Sequence, residues 1–180
     1  APYRIARIGL GYVPEDRRLQ GLFFQLGVGE NILVPVMPRI ARGGIRRLRA
    51  ERALTAGRMR EVQVKAASAL PGSLSGGNQQ KLLIARWMNE DVRVLLLDEP
   101  TRGIDVGTKA EVYRLVRAAA DRERNPAGII LVSSGVPELL ALADRVVVLA
   151  EGRIAGELRG EEMTQANILR LAAFESQAGR

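Results

Sequence analysis

The amino-acid sequence predicts an α/β fold, a mostly parallel sheet with flanking helices. Two observations carry this expectation. Short apolar runs alternate with longer amphipathic stretches along the 180 residues, the pattern of strands joined by crossover helices. Apolar residues make up 47% of the chain against 26% charged, enough to build the core such a sheet must bury. No internal repeat or low-complexity tract interrupts the alternation. The longest apolar runs, such as residues 94–97 and 145–150, fall far short of the roughly 20 residues of a membrane-spanning helix. With no secretory segment at the start, the expected location is cytoplasmic, with room for docking onto a membrane component.

Taken in order, residues 8–13 predict a strand that breaks at Pro14, and the charged, glycine-marked residues 15–21 read as loop. An apolar stretch over residues 22–33 precedes Pro35, Pro38 and the Gly43-Gly44 break, and residues 45–62 read as a basic helix. Pro71-Gly72 closes this helical insertion, and Leu74-Ser75-Gly76-Gly77 leads into a helix reaching about Met88. Residues 92–97 predict a strand buried on both faces, because it is an unbroken run of Val and Leu around one Arg. A helix over residues 106–124 presents Val112, Leu115, Val116, Ala119 and Ala120 on one face. Residues 128–133 read as a strand and 137–143 as a short helix. Residues 146–150 form a further strand, turning at Glu151-Gly152 into its partner over 153–158. An amphipathic helix over about 161–173 and a polar tail complete the chain.

The chain has no cysteine and no histidine, which excludes disulfides, thiolate metal sites and imidazole bases. Chemistry is left to carboxylates, hydroxyls, backbone amides and cations. The net charge of +7 and pI near 10.7 raise an anionic partner. The excess is local, in Arg39, Arg42, Arg46, Arg47, Arg49, Arg52, Arg58 and Arg60. No aromatic residue interleaves with that cluster to stack on bases, so a solvated helical face is the preferred reading.

Two segments carry chemistry. At the carboxyl end of an apolar strand stand Asp98 and Glu99, where an α/β sheet presents ligands. The first acid can hold Mg²⁺, and the second can orient or deprotonate an attacking water. The pair alone is equally a strand leaving the core through two solvated acids. In Ser75-Gly76-Gly77-Asn78-Gln79-Gln80, the glycines let backbone approach a phosphate, Ser75 offers a hydroxyl, and the helix presents its amide end. That segment alone is equally a serine-capped helix.

Together, in this order, the two segments resemble the ABC transporter ATPases, whose signature LSGGxQ matches Leu74 to Gln79 and whose Walker B strand ends at Asp98-Glu99. Residues 101–105 resemble the D-loop, and 129–134 the strand leading to the switch position, which falls at Ser134. Pro-Glu-Asp-Arg at residues 14–17, Glu30-Asn31-Ile32 and Asn78-Gln79-Gln80 narrow the resemblance to the second ATPase domain of monosaccharide importers of the ribose, xylose and galactose type.

The resemblance implies a P-loop NTPase-like partial ABC ATPase domain. Residues 22–88 would form a helical signature subdomain, 89–160 a core with Walker B, D-loop and switch strand, and 161–180 a terminal helix and tail. It implies ATP and Mg²⁺ as cofactors, with Asp98 as metal ligand and Asp98 and Glu99 as catalytic acids. Ser75, Gly76, Gly77, Asn78, Gln79, Asp105 and Ser134 would be nucleotide-binding. Implied partners are permease subunits, a first ATPase domain and, indirectly, an extracytoplasmic sugar-binding protein, at the cytoplasmic face of a bacterial membrane. The phosphate loop G-x-x-x-x-G-K-[ST] occurs nowhere in the chain, and the family layout would place it upstream of Ala1. Ser75, Gly76 and Gly77 would complete the competent site of the paired first domain, while Asp98 and Glu99 would serve a weaker one. A soluble ABC ATPase acting on nucleic acid or the ribosome is the alternative, against which the importer-like residues 11–17 and 22–31 weigh.

Overall fold

A computed structural model of the chain describes residues 8–41, 45–62, 67–88 and 92–173. Arg42, the Gly43-Gly44 break and the tail from residue 174 lie outside the described residues. Two compact units divide the chain, Ala1–Val132 and Ser133–Arg180.

In the first unit, β1 (Leu10–Val13), β2 (Val94–Asp98) and β3 (Gly128–Val132) form a parallel sheet in the order β1-β2-β3. Leu10 stands opposite Val94, and Val94 opposite Gly128. Side chains alternate across the sheet, and the two faces differ. Val13, Leu95 and Leu97 are buried, whereas Tyr12, Ile130 and Val132 are exposed and Val94 and Leu96 half-buried. The expectation of a strand buried on both faces is therefore corrected. A run of apolar residues signals hydrophobicity on both sides, but the described residues of this unit bury one side of β2 and leave the other half-covered.

The covered face exists because the helices can come close. The unit's helices are α1 (Val28–Leu33), α2 (Met37–Ile40), α3 (Leu48–Glu61), α4 (Gly76–Trp87) and α5 (Val106–Ala120). A Cβ on Gly11 would stand 2.9 Å from Leu95 Cδ1 and from the Trp87 ring, so glycine at this position lets α4 settle on β1. Helix α4 also packs against α1, α3 and α5, and Leu82, Leu83 and Ile84 on it are fully buried. The segment read as loop contains a single wide helical turn, Arg17–Gly21. Its start is set by Asp16, whose Oδ1 accepts from the N–H groups of Arg18 (2.9 Å) and Leu19 (3.0 Å). A cap made by one side chain leaves no apolar period to read.

In the second unit, α6 (Val136–Leu142) precedes β4 (Arg145–Ala150) and β5 (Arg153–Arg159), an antiparallel hairpin, and α7 (Gln165–Ala173) follows. The turn places Glu151 and Gly152 at φ of 47° and 76°, the left-handed pair that suits a two-residue hairpin. Val146, Val148, Leu158 and Ile168 make this unit's own core. Helix α7 begins later than its sequence suggests because Gly160–Glu162 closes into a separate tight turn.

Candidate nucleotide site

Asp98 ends β2, and at Glu99 the chain turns away. Glu99 has a φ of +45°, a left-handed conformation that non-glycine residues hold only when their surroundings impose it. Its N–H donates to the Val132 carbonyl (2.9 Å), and its own carbonyl accepts from Arg102 N–H (3.1 Å). Buried Pro100 and Thr101 follow. Next to it, Asp98 Oδ2 accepts from the Tyr12 hydroxyl at 3.2 Å. Partial burial and the neighbouring carboxylate push the Tyr12 phenol up, so Tyr12 remains a donor to Asp98 at neutral pH.

Helix α4 starts at the Ser-Gly-Gly segment. Ser75 Oγ accepts from Asn78 N–H at 3.3 Å, capping the helix. A Cβ on Gly77 would lie 2.5 Å from Thr108 Cγ2, so this glycine is required by the contact between α4 and α5. Gly76 faces Arg17 instead, whose Nη2 lies 2.9 Å from where a Cβ would stand. Asn78 is half-buried, while Gln79 is turned inward at 3% exposure. Its Nε2 donates to the carbonyls of Pro71 (3.0 Å) and Leu74 (3.2 Å). Its Oε1 is buried without a hydrogen-bond partner among the described residues. Gln79 thus anchors the turn that leads into the helix.

Asp105 caps α5. Its Oδ2 accepts from the Thr108 hydroxyl (2.6 Å) and its Oδ1 from Thr108 N–H (2.9 Å), and these bonds hold the carboxyl below its ordinary range. Thr108 therefore touches Gly77 on one side and Asp105 on the other, joining two segments that the sequence treats separately. The spacing Asp-x-x-Thr was the available signal for it. Ser134 lies exposed in the second unit. There the neighbouring Ser133 Oγ donates to Glu138 Oε2 (2.5 Å) and accepts from Gly135 N–H (3.0 Å).

Sequence reasoning also missed Arg86, buried near the end of α4. It donates from Nε to Asn31 O (2.9 Å), from Nη2 to Asn31 Oδ1 (2.7 Å) and from Nη1 to Gly21 O (2.6 Å). Burial pushes its pKa down to about 10, and it lies 5.3 Å over the Phe23 ring. Asn31 in turn gathers the carbonyls of Phe23, Leu26 and Gly27. The helix that begins at Ser75-Gly76-Gly77 is thereby fastened to the loop over residues 21–27.

A parallel sheet delivering two acids at a strand end, beside a helix with a capped Ser-Gly-Gly start, defines the class of ATP-binding cassettes. Residues 2–102 match the family described as ABC transporter, and the chain belongs to that family. It is 42% identical over 174 residues to the ribose import ATP-binding protein RbsA 2 of Escherichia coli O157:H7, covering 96% of this chain and 34% of that protein. It is 46% identical over 170 residues to RbsA 2, also a ribose import ATP-binding protein, of Rhizobium meliloti, covering 93% of this chain and 33% of that one. The chain thus spans about a third of the length of these relatives. Its fold is similar to a dimeric ATP-binding cassette solved in a post-hydrolysis state with ADP and Pi. The TM-score is 0.71 over 87% of this chain and 65% of that one, at 22% identity.

Proposed function

We propose that this chain is part of the ATP-binding subunit of a monosaccharide ABC importer and acts there in ATP hydrolysis coupled to sugar uptake. The observation that carries the reading is the identity of 42–46% to ribose import ATP-binding proteins across nearly the whole chain. It rests further on the joining of the Ser75 to Asn78 turn to Asp105 through Thr108. In this reading Ser75, Gly76, Gly77 and Asn78 face the phosphates of a nucleotide held on a paired first ATPase domain. Asp105 keeps the adjoining turn in shape, Gln79 holds the helix entry, and Ser134 occupies the switch position. The helical portion over residues 22–88, the core over 89–160 and the end over 161–180 are the subdomains of this assignment.

Asp98 fits a Mg²⁺ ligand, since Oδ1 lies outside its bond to Tyr12. No group of three or more acidic side chains gathers among the described residues. One carboxylate, with water and nucleotide phosphate completing the shell, is the usual arrangement for this ion. The ion would supply charge neutralisation at the phosphates. Glu99, held off the strand by its left-handed backbone, would orient the attacking water. The partners would be permease subunits, the first ATPase domain and, indirectly, an extracytoplasmic sugar-binding protein, with the subunit peripheral on the cytoplasmic face. No helix among the described residues is long and apolar enough to cross a membrane. Leu19, 86% exposed, and Phe23, 49% exposed, offer an apolar rim to a permease helix.

The test is to assemble the full-length subunit with its permease in liposomes and measure ATP hydrolysis against a panel of monosaccharides delivered by the binding protein. Stimulation by a pentose or hexose is expected. Hydrolysis indifferent to every monosaccharide contradicts the reading.

A further inference from the structure

Three segments distant in sequence meet at Arg17 and Arg102. The Arg102 guanidinium pairs with the Glu15 carboxylate. The Arg102 carbonyl accepts from Arg17 Nη1 at 3.3 Å, and the Arg102 N–H donates to the Glu99 carbonyl at 3.1 Å. Arg17 Nη2 lies against Gly76. A connected path therefore runs from Gly76 through Arg17 and the Arg102 backbone to Glu99. Around it opens a cleft of about 500 Å³ lined by Glu15, Asp16, Arg17, Arg18, Arg102 and Gly103. Arg17 Nε is buried beside it without a hydrogen-bond partner among the described residues.

The chemistry of the path is that of a latch rather than a staple. The Glu15–Arg102 pair is largely solvated, with side-chain exposures of 42% and 69%, and such pairs contribute at most about 1 kcal/mol to stability. Breaking it leaves the fold standing. What it fixes is the turn after Glu99, whose carbonyl is bonded to the residue the latch holds, and the guanidinium of Arg17 over Gly76.

We propose that Glu15, Arg17 and Arg102 form a latch that holds the Gly76 turn and the turn after Glu99 in one arrangement, with Arg17 and Arg102 as positioning residues for ATP hydrolysis. Closed, it keeps a fixed cation beside Gly76 and holds Glu99 in its left-handed conformation. Open, it frees residues 101–105 without unfolding the unit. The hydrolytic consequence rests on the importer reading; the existence of the latch does not.

Two measurements separate these. In this chain, hydrogen exchange at the Arg102 amide reads the latch directly. Glu15→Gln and Arg102→Gln are each expected to speed it by up to about fivefold at unchanged melting temperature, the limit set by a solvated pair. Exchange equal to wild type in both variants overturns the latch. In the assembled importer, the same substitutions are expected to lower kcat for ATP by about tenfold with KM unchanged, a loss confined to the transition state. The double variant should be no worse than either single one, because both break one interaction. Arg102→Lys, which keeps the charge, should recover most of kcat. Wild-type kcat in the single variants, or additive losses in the double, overturns the positioning role. If the unmodified assembly shows no sugar-stimulated hydrolysis, the importer reading falls, and the exchange measurement still decides the latch.

Discussion

Two basic helices of the first unit, α3 and α4, use their cations in opposite ways. On α4, Lys81 and Arg86 are 3% and 6% exposed; Lys81 pairs with Glu111 of α5 at 2.6 Å, and Arg86 gathers three oxygens from Gly21 and Asn31. On α3 and its entry, Arg47, Arg49, Arg52 and Arg60 are exposed. Arg46 turns back, bonding Glu51 at 3.0 and 2.7 Å and Glu30 at 3.4 Å. The hydrogen bonds from Arg46 keep the Glu51 carboxyl low, which suits an acid on the buried side of α3. The difference lies in the acceptors supplied from elsewhere in the chain, not in the cations themselves. Where carbonyls and carboxylates converge, a cation becomes a tether; where they do not, it stays in water.

The comparison breaks most sharply at Arg86. Arg86→Ala leaves buried oxygens of Asn31 and Gly21 without their donor, and urea unfolding should show a loss of about 3 kcal/mol, given the cost of unsatisfied buried acceptors. A loss near zero would mean that α4 is not tethered through this residue. Next comes Gly77→Ala, whose methyl group meets Thr108. The same measurement should give a loss of about 1–3 kcal/mol, as for overpacking, with part of it recovered when Thr108 is changed to Ala.

The α4–α5 junction also carries a pH signature through Asp105. Its carboxyl is held below the ordinary value of 3.8 by Thr108. The stabilisation is therefore complete above that value and is lost as pH falls through the lower, folded value. Melting curves between about pH 5 and 2, the range where such a carboxylate titrates, should fall more steeply for the unmodified chain than for Asp105→Asn. The smallest effect belongs to α3. Replacing Arg49, Arg52 and Arg60 together with Gln should move stability by no more than about 0.5 kcal/mol, the range of ordinary surface changes. A larger change would erase the distinction between the two helices.

Much of this was legible in the sequence. The strand ending at Asp98, the Ser75 cap and the Glu151-Gly152 hairpin turn all announce themselves by local chemistry, and the structure places each where its residues predict. The rest depends on distant partners. Arg86 looks like any basic residue near a helix end, because its acceptors at Gly21 and Asn31 lie far back in the chain. Glu99 gives no sign of its left-handed backbone, since the bonds that hold it come from Val132 and Arg102. The two glycines of the α4 start look alike in sequence. Only the approach of Thr108 separates Gly77, needed for packing, from Gly76, which faces Arg17.

The central claim is that the Ser75-Gly76-Gly77 turn serves the competent nucleotide site of an importer, while Asp98 and Glu99 serve the weaker one. The direct test is the rate of ATP hydrolysis by the reconstituted importer carrying Gly76→Asp or Glu99→Gln. In that reading the Gly76 turn meets the phosphates, and a carboxylate there would add negative charge to the turn and pair with the Arg17 guanidinium beside it, so Gly76→Asp should lower the rate by about a hundredfold, the scale of losing oriented electrostatic stabilisation. Glu99→Gln should leave most of the rate in place. Equal losses, or a greater loss in Glu99→Gln, would contradict the division.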